Sequence, residues 1–224
     1  MSGSELLRVS ELFYSIQGES TRAGLPCVFI RLCGCNLRCS YCDSRYTWDE
    51  AGKLMSAAEA CAELVQYPGI MAEITGGEPL LQAAVYPLMD ALLAQGREVL
   101  LETGGSLSIA RVPVSVGVIL DLKCPDSRMA AHNDWGNIGL LRQRKAAGSR
   151  DELKFVLCSE EDAAWAAQVV REHRLTELLP VLFSPVIDRL APARLSDFLL
   201  REQLPVRLQL QLHTQIWPGI SRGV

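Results

Sequence analysis

Apolar, β-branched runs recur along the chain as VSELFYSI, CVFIRLC, MAEIT, EVLLET, VGVILDL, ELKFVLC, LLPVLFS and VRLQLQLH, and each predicts a strand. Helix-period stretches with start signals lie between several of them: SAAEACAELVQY from Ser56, PLLQAAVYPLMDALLAQG, SEEDAAWAAQVVREH from Ser159, and PARLSDFLLREQ opening at Pro192. Alternation on this scale predicts an α/β fold with a parallel sheet and covering helices, either doubly wound or curled into a barrel or part of one. At 224 residues the chain is short for a full eight-fold barrel. In the last run Val206, Leu208, Leu210 and Leu212 fall on one face and Arg207, Gln209, Gln211 and His213 on the other. That polar face predicts either a cavity wall or a solvated edge strand.

No repeat, low-complexity segment or charge block marks a linker, so a single domain over residues 1–224 is expected. With 49% hydrophobic and 21% charged residues, the chain has the composition of a globular domain with a substantial core. A net charge of −4 gives no general attraction to nucleic acid or anionic membrane, which favours a small-molecule substrate. No apolar run approaches the ~20 residues of a membrane span. The start, MSGSELLRVSELF, lacks the basic region and long apolar core of a signal peptide, so a cytoplasmic location is expected.

In a reducing compartment eight cysteines are not a disulfide framework, and three of them crowd into the segment C-N-L-R-C-S-Y-C at 35–42. The segment follows the strand CVFIRLC, at the carboxyl end where ligands of open α/β sheets collect. Three thiolates on a four-iron cubane leave one iron open to a small molecule. The competing reading is a closed tetrahedral zinc site, which needs a fourth ligand; His132, His173 and His213 are distant in sequence, and Cys33 or Cys27 would have to serve. Cys27, Cys33, Cys61, Cys124 and Cys158 sit in apolar periodic contexts and read as buried small hydrophobes.

The spacing CxxxCxxC together with T-G-G-E-P at 75–79 resembles the radical S-adenosylmethionine enzymes. Around it S-I-Q-G-E (15–19), A-G-x-P (23–26), F-I-R-L (29–32), G-C-N-L-R-C-S-Y-C-D (34–43), E-T-G-G (102–105), D-L-K (121–123), E-L-K-F-V (152–156) and Q-L-H (211–213) resemble the 7-carboxy-7-deazaguanine synthase family over nearly the whole chain. The resemblance implies a partial, incomplete TIM-like barrel of mainly parallel strands. It implies a lyase that converts 6-carboxy-5,6,7,8-tetrahydropterin to 7-carboxy-7-deazaguanine with loss of ammonia, on the route to queuosine. A [4Fe–4S] cluster on Cys35, Cys39 and Cys42, S-adenosylmethionine and Mg²⁺ are the implied cofactors. A flavodoxin or ferredoxin as electron donor and a homodimer are the implied partners. Acid–base groups cannot remove a hydrogen atom from carbon homolytically, so the cofactor carries that step.

Residue by residue, the resemblance implies substrate contacts at Ile16 (through backbone), Gln17, Gly18, Glu19, Arg31, Thr75 and His213. It implies S-adenosylmethionine contacts at Tyr41, Cys42, Asp43, Gly77, Glu78, Asp121, Lys123 and Ser184, and Mg²⁺ ligation by Ser44, where the family usually has threonine. Each has a plainer reading. Q-G-E is an ordinary turn, Arg31 in an apolar strand needs a partner that a structural ion pair would supply, Ser44 suits a helix cap, Glu78 orients its loop, and Asp121 with Lys123 forms a strand-end pair. Ser20, Gly104 and Thr214 depart from the family pattern, and the segment after His213 is longer than in members whose terminal carboxylate contacts substrate. Two other functions use the same cysteines: a glycyl-radical-enzyme activating protein, and a zinc-stabilised module without catalysis.

Overall fold

The computed structural model describes residues 6–224. The first five residues of the expected domain lie outside this range. In chain order the elements are β1 (Leu7–Ile16), β2 (Pro26–Leu32), β3 (Lys53–Met55), α1 (Ala57–Glu63), β4 (Met71–Gly76), α2 (Val85–Ala94), β5 (Val99–Thr103), β6 (Gly117–Asp121), α3 (Gly136–Ala146), β7 (Glu152–Leu157), α4 (Glu160–Glu172), α5 (Leu175–Leu178), β8 (Val181–Pro185), α6 (Pro192–Glu202), β9 (Arg207–Leu208) and α7 (Leu212–Ile216). Short 3₁₀ turns cover Arg45–Thr47, Pro79–Leu81, Pro125–Ser127 and Ala130–His132.

All nine strands share one sheet in the order β3-β1-β2-β4-β5-β6-β7-β8-β9. β1 pairs antiparallel with β2 and β3, and from β2 to β9 every neighbouring pair is parallel. Among the described residues the two edges do not pair, so the sheet is the open, partial barrel that the resemblance implies. Every crossover between parallel neighbours after β4 lies in a segment containing helix or 3₁₀ turns or a loop.

Strand alternation separates two faces. One carries Val28, Ile30 and Leu32, then Ala72 and Ile74, Val99 and Leu101, Val118 and Leu120, Leu153, Phe155 and Leu157, and Val181 and Phe183; all are buried in the main core with Leu88, Met89, Leu92, Ala163 and Ala166 of the helices. Each fully buried Leu, Ile, Val or Phe there stabilises the fold by about 1.5–3 kcal/mol. The other face begins at the amino ends of the strands with a smaller apolar cluster of Cys27, Phe29, Met71, Leu100 and Ile119. Polar side chains follow further along the same strands.

Helix starts follow their local chemistry. Ser56 and Glu59 form a reciprocal capping box before α1, the Ser159 hydroxyl accepts from the Asp162 amide, and Pro192 sits in the first turn of α6. The stretch PLLQAAVYPLMDALLAQG, expected as helix, is interrupted: Gln82 is extended, and its amide group receives the Arg8 N–H at 2.7 Å and donates to the Cys33 carbonyl at 2.9 Å. The turn before α2 thus ties the ends of β1 and β2 together.

The strand expected at VRLQLQLH is corrected. Only Arg207 and Leu208 pair, with Leu182 and Phe183, and both are exposed at the sheet edge. The partner strand ends at Pro185, which has no N–H to continue a ladder. The chain then turns into α7, whose Leu212 N–H donates to the Gly18 carbonyl at 3.0 Å, so the two ends of the open sheet meet through a loop and a helix instead of a strand pair.

Candidate active site

A cavity of about 780 Å³ opens at the carboxyl ends of the parallel strands. Its size falls within the usual range for ligand pockets. Cys35, Cys39 and Cys42 stand on its wall, carried by the loop after β2. Hydrogen bonds between side chains and backbone hold that loop. Arg38 donates to the Cys35 and Leu37 carbonyls at 2.7 and 2.8 Å, and the Leu37 amide nitrogen lies 3.4 Å from the Cys35 sulfur, a hydrogen bond that favours a thiolate. Burial raises the Cys39 thiol to about 11, against the opposing pull of Lys123. Such thiols ionise when a metal takes the proton's place.

The glycines of T-G-G-E-P explain how the loop is seated. A Cβ on Gly76 would stand 2.2 Å from the Leu32 carbonyl oxygen, and one on Gly77 would stand 2.1 Å from the Gly34 oxygen and 3.0 Å from the Cys35 Cβ. Gly77 and Glu78 donate backbone N–H groups to Leu32 and Gly34 at 3.0 and 2.8 Å. β4 therefore clamps the cysteine loop, and any side chain at these positions would push the thiols away.

Among the described residues no three Cys, His, Asp or Glu side chains converge at the spacing of a single metal ion. A tetrahedral zinc site holds its thiolates about 2.3 Å from one ion. The three thiols instead surround a space shared with buried polar groups that have no partner: the Tyr41 hydroxyl and Asp121 Oδ1 on the wall, and Ser184 Oγ just behind it. This donor set suits a cluster with a polar organic cofactor beside it. Asp121 Oδ2 accepts from Lys123 Nζ at 2.6 Å, so the strand-end pair is present, and the other carboxylate oxygen is buried without a partner. Burial lowers the Lys123 ammonium, but the Asp121 charge and hydrogen bond together with the Cys39 thiolate outweigh it and raise the group.

Along the inner face buried Glu73, Thr75 and Lys154 and half-buried Arg31 and Glu102 form a polar layer above the small apolar cluster. Lys154 bridges Glu102 and, at 3.0 Å, Glu19; Thr75 donates to Glu102 at 2.9 Å; Gln211 donates to Glu19 at 3.0 Å; Gln17 donates to Glu73. Burial and the neighbouring Glu102 charge push the Glu73 carboxyl well above the carboxylate range. Burial acts upward on Glu102 as well, but the Lys154 charge and hydrogen bond and the Thr75 hydroxyl outweigh it and bring that carboxyl down to about 2. Adjacent strands thus present two carboxyls that their surroundings push in opposite directions.

Arg31 Nε lies 3.1 Å from Glu11 Oε1 without hydrogen-bonding geometry, and its guanidinium stands 5.5 Å over the Phe13 ring. Glu11 also accepts from Tyr46 at 2.5 Å and from the Gly223 amide at 3.0 Å. The structural ion pair weighed for Arg31 is present, and the side chain still borders the cavity.

Of the residues singled out from sequence, Ile16, Gln17, Gly18, Glu19, Arg31, Thr75, His213, Tyr41, Asp43, Gly77, Asp121, Lys123 and Ser44 line this cavity with the three cysteines. His213 does so from α7, with its Nδ1 3.3 Å from where a Gly18 Cβ would stand. Ser44 starts the 45–47 turn without a side-chain cap and lies 3.9 Å from the Cys42 sulfur. Glu78 and Ser184 are set behind the wall. Glu78 is fully buried, accepting from Thr103, the Gly104 amide and the Leu80 amide. It braces the glycine turn, as its plainer reading holds. Cys27, Cys33, Cys61, Cys124 and Cys158 are all buried away from this wall. Sequence reasoning missed Glu73, Glu102 and Lys154 as single residues. Their signal is the one that drew attention to Arg31: a charge inside an apolar strand.

A family model described as Radical SAM superfamily matches residues 29–120. The chain is 42% identical to the 7-carboxy-7-deazaguanine synthase of Chlorobaculum tepidum over the full length of both chains. It is 40% identical to the enzyme of the same name from Koribacter versatilis, over 97% of this chain and all of that one. The crystal structure of QueE from Escherichia coli superposes with a TM-score of 0.75 at 22% identity, covering 92% of this chain and 94% of that one, which establishes the shared fold.

Proposed function

This chain belongs to the 7-carboxy-7-deazaguanine synthase family of the radical S-adenosylmethionine superfamily, and from that premise we propose how its cavity is divided between cofactors and substrate. The protein is a radical S-adenosylmethionine lyase of deazapurine biosynthesis, forming 7-carboxy-7-deazaguanine from 6-carboxy-5,6,7,8-tetrahydropterin with loss of ammonia. The observation that carries the assignment is one cavity with three thiols on one wall and a layer of paired charges on its floor. Residues 1–224 are read as a single radical S-adenosylmethionine domain.

Cys35, Cys39 and Cys42 would hold a [4Fe–4S] cluster, which with S-adenosylmethionine would supply the hydrogen-atom abstraction that side chains cannot perform. Tyr41, Asp43, Gly77, Asp121 and Lys123 orient the cofactor, with the unpartnered Asp121 oxygen and Tyr41 hydroxyl as its polar contacts. Glu78 and Ser184 support it from behind.

Gln17, Gly18, Glu19, Thr75 and His213, with the backbone of Ile16, surround the pterin. Glu73, whose carboxyl is pushed up, and Glu102, whose carboxyl is pulled down, set two contrasting groups against the mixed donor–acceptor edge of a pterin. Arg31 takes the substrate carboxylate and in doing so loosens from Glu11. Ser44 contributes one oxygen to Mg²⁺, and water and substrate oxygens complete its shell. The reductant is a one-electron carrier of the flavodoxin or ferredoxin type, and the chain forms a homodimer, which light scattering on the purified protein tests.

Anaerobic reconstitution followed by iron analysis and incubation with reductant, S-adenosylmethionine and carboxytetrahydropterin tests the whole reading. Four irons per chain and a deazapurine product are expected. A colourless zinc protein overturns the cluster assignment. Cofactor cleavage without deazapurine overturns the substrate. Family membership favours neither the glycyl-radical activator nor the zinc module.

A further inference from the structure

The loop between β1 and β2 brings Gln17, Gly18 and Glu19 to the cavity and then leaves it. Its next residues are held by β7, although β4, β5 and β6 lie between β2 and β7 in the sheet. The Glu152 carboxylate accepts from the Thr21 amide at 2.9 Å, from the Thr21 hydroxyl at 2.5 Å and from Arg22 Nη1 at 2.6 Å. Arg22 Nη1 also donates to Thr21 Oγ1 at 2.7 Å, and Arg22 Nη2 to Glu98 Oε1 at 2.9 Å. Glu98 precedes β5 and Glu152 opens β7, so the loop reaches across the concave face and is tied to the amino ends of two strands.

Glu152 is 1% exposed and set outside the cavity lining, so it does not touch a ligand there. Burying a carboxylate is costly, and an apolar group of the same shape often serves stability as well, so the value of this ion pair lies in the geometry it fixes. That geometry centres on Ser20. Ser20 is buried at a φ of +64°, a left-handed conformation that a residue with a side chain keeps only where its surroundings impose it. On one side of it Lys154 holds Glu19 at 3.0 Å, and on the other Glu152 holds Thr21. Lys154 and Glu152 alternate to the same face of β7, so one strand grips the loop on both sides of its strained residue. The preceding residues are seated in turn: the Glu19 amide donates to Gln17 Oε1 at 2.9 Å, and the Gly18 carbonyl receives the Leu212 N–H from the helix that bears His213.

We propose that Glu152 is a positioning residue for pterin recognition: by anchoring Thr21 and Arg22 it sets the place of Gln17, Gly18 and Glu19, and through Gly18 that of His213, without touching substrate. The inference rests on the assignment of the pterin to this cavity. The cysteine loop is seated by other contacts, those of Gly76, Gly77 and Arg38. Loss of the Glu152 anchor therefore acts on the pterin side of the cavity and leaves the thiol side in place.

The test compares the reconstituted wild-type holoenzyme with Glu152→Gln and Thr21→Val. Glutamine keeps the shape but offers one acceptor oxygen where the carboxylate offers two. Valine removes only the Thr21 hydroxyl and keeps the backbone hydrogen bond, so it serves even where Glu152→Gln does not fold. The KM for carboxytetrahydropterin is expected to rise about tenfold or more in Glu152→Gln and about threefold in Thr21→Val, with kcat within about twofold of wild type. The KM for S-adenosylmethionine and the electron paramagnetic resonance spectrum of the reduced cluster with S-adenosylmethionine should not change. Hydrogen exchange read by mass spectrometry should quicken over residues 17–25 and stay the same over the cysteine loop. A role confined to stability lowers the fraction of active enzyme and leaves the pterin KM where it is. An unchanged pterin KM in both variants therefore overturns the proposal, and so does an equal rise in the KM of pterin and of S-adenosylmethionine. A wild-type holoenzyme that forms no deazapurine refutes the assignment of the pterin to the cavity, a result separate from either.

Discussion

Lys154 and Phe155 are neighbours on β7, both buried, and they belong to different regions of the molecule. Phe155 points to the helix-covered face, where it packs edge-on against Phe183 at 5.4 Å in a continuous apolar core. Lys154 points to the concave face, where it holds Glu19 and Glu102 in the cavity floor. One face is filled chiefly by burial of apolar area. The other buries charges, and burial of charge is costly unless partners are placed around it. The fold therefore draws its stability from one side of the sheet and places its chemistry on the other.

The largest effect expected concerns the thiols. Cys39→Ala on the cavity wall should lose the cluster, read as iron per chain falling to near zero with no deazapurine formed, whereas Cys61→Ala in the helix-side core should retain both. Equal loss in the two would break the distinction between the faces.

Next come the β7 neighbours. Phe155→Ala should cost about 3–5 kcal/mol in urea unfolding through the cavity it leaves. Lys154→Met should cost a similar ~3–5 kcal/mol by leaving Glu19 and Glu102 uncompensated. The two separate in combination: Glu102→Gln should recover part of the loss in Lys154→Met and none in Phe155→Ala.

The carboxyl pair gives a pH signature. Glu73 has its folded value raised, so its stabilising protonated form is fully present below the ordinary carboxylate range and is lost as pH rises toward the raised value. Glu73→Gln should match wild type near about pH 4 and exceed it by roughly 1–3 kcal/mol at neutral pH. Glu102 is depressed to about 2, so its contribution is present above the ordinary carboxylate range and is lost as pH falls toward that value. Glu102→Gln should therefore be less stable than wild type at neutral pH and converge on it in acid; thermal melts across pH check both signs. The smallest effect lies at the surface of the covering layer, where Ser56→Ala removes the α1 cap at a cost of about 1 kcal/mol in thermal melts, without altering iron content.

Much of this was legible in the chain. Seven of the eight apolar runs form strands at the expected places, and α1, α4 and α6 start at Ser56, Ser159 and Pro192, because alternation and capping are local properties. The short edge strand β3 and the helices α3, α5 and α7 were not read, having weak periodicity or few residues. The eighth run failed for a non-local reason: its neighbour ends in Pro185, and a strand continues only while its partner offers hydrogen bonds.

The cysteine loop, the glycines that seat it, and which residues alternate to which face of each strand can be read from the chain, since spacing and period are written along one dimension. That Glu73, Glu102 and Lys154 lie in one polar layer with Glu19, that Arg31 already has a counter-ion in Glu11, and that Cys39 separates two cavities follows from three-dimensional packing alone. Those facts depend on which strands lie side by side. The ionisation of a buried carboxyl is set by neighbours that the order of residues does not name.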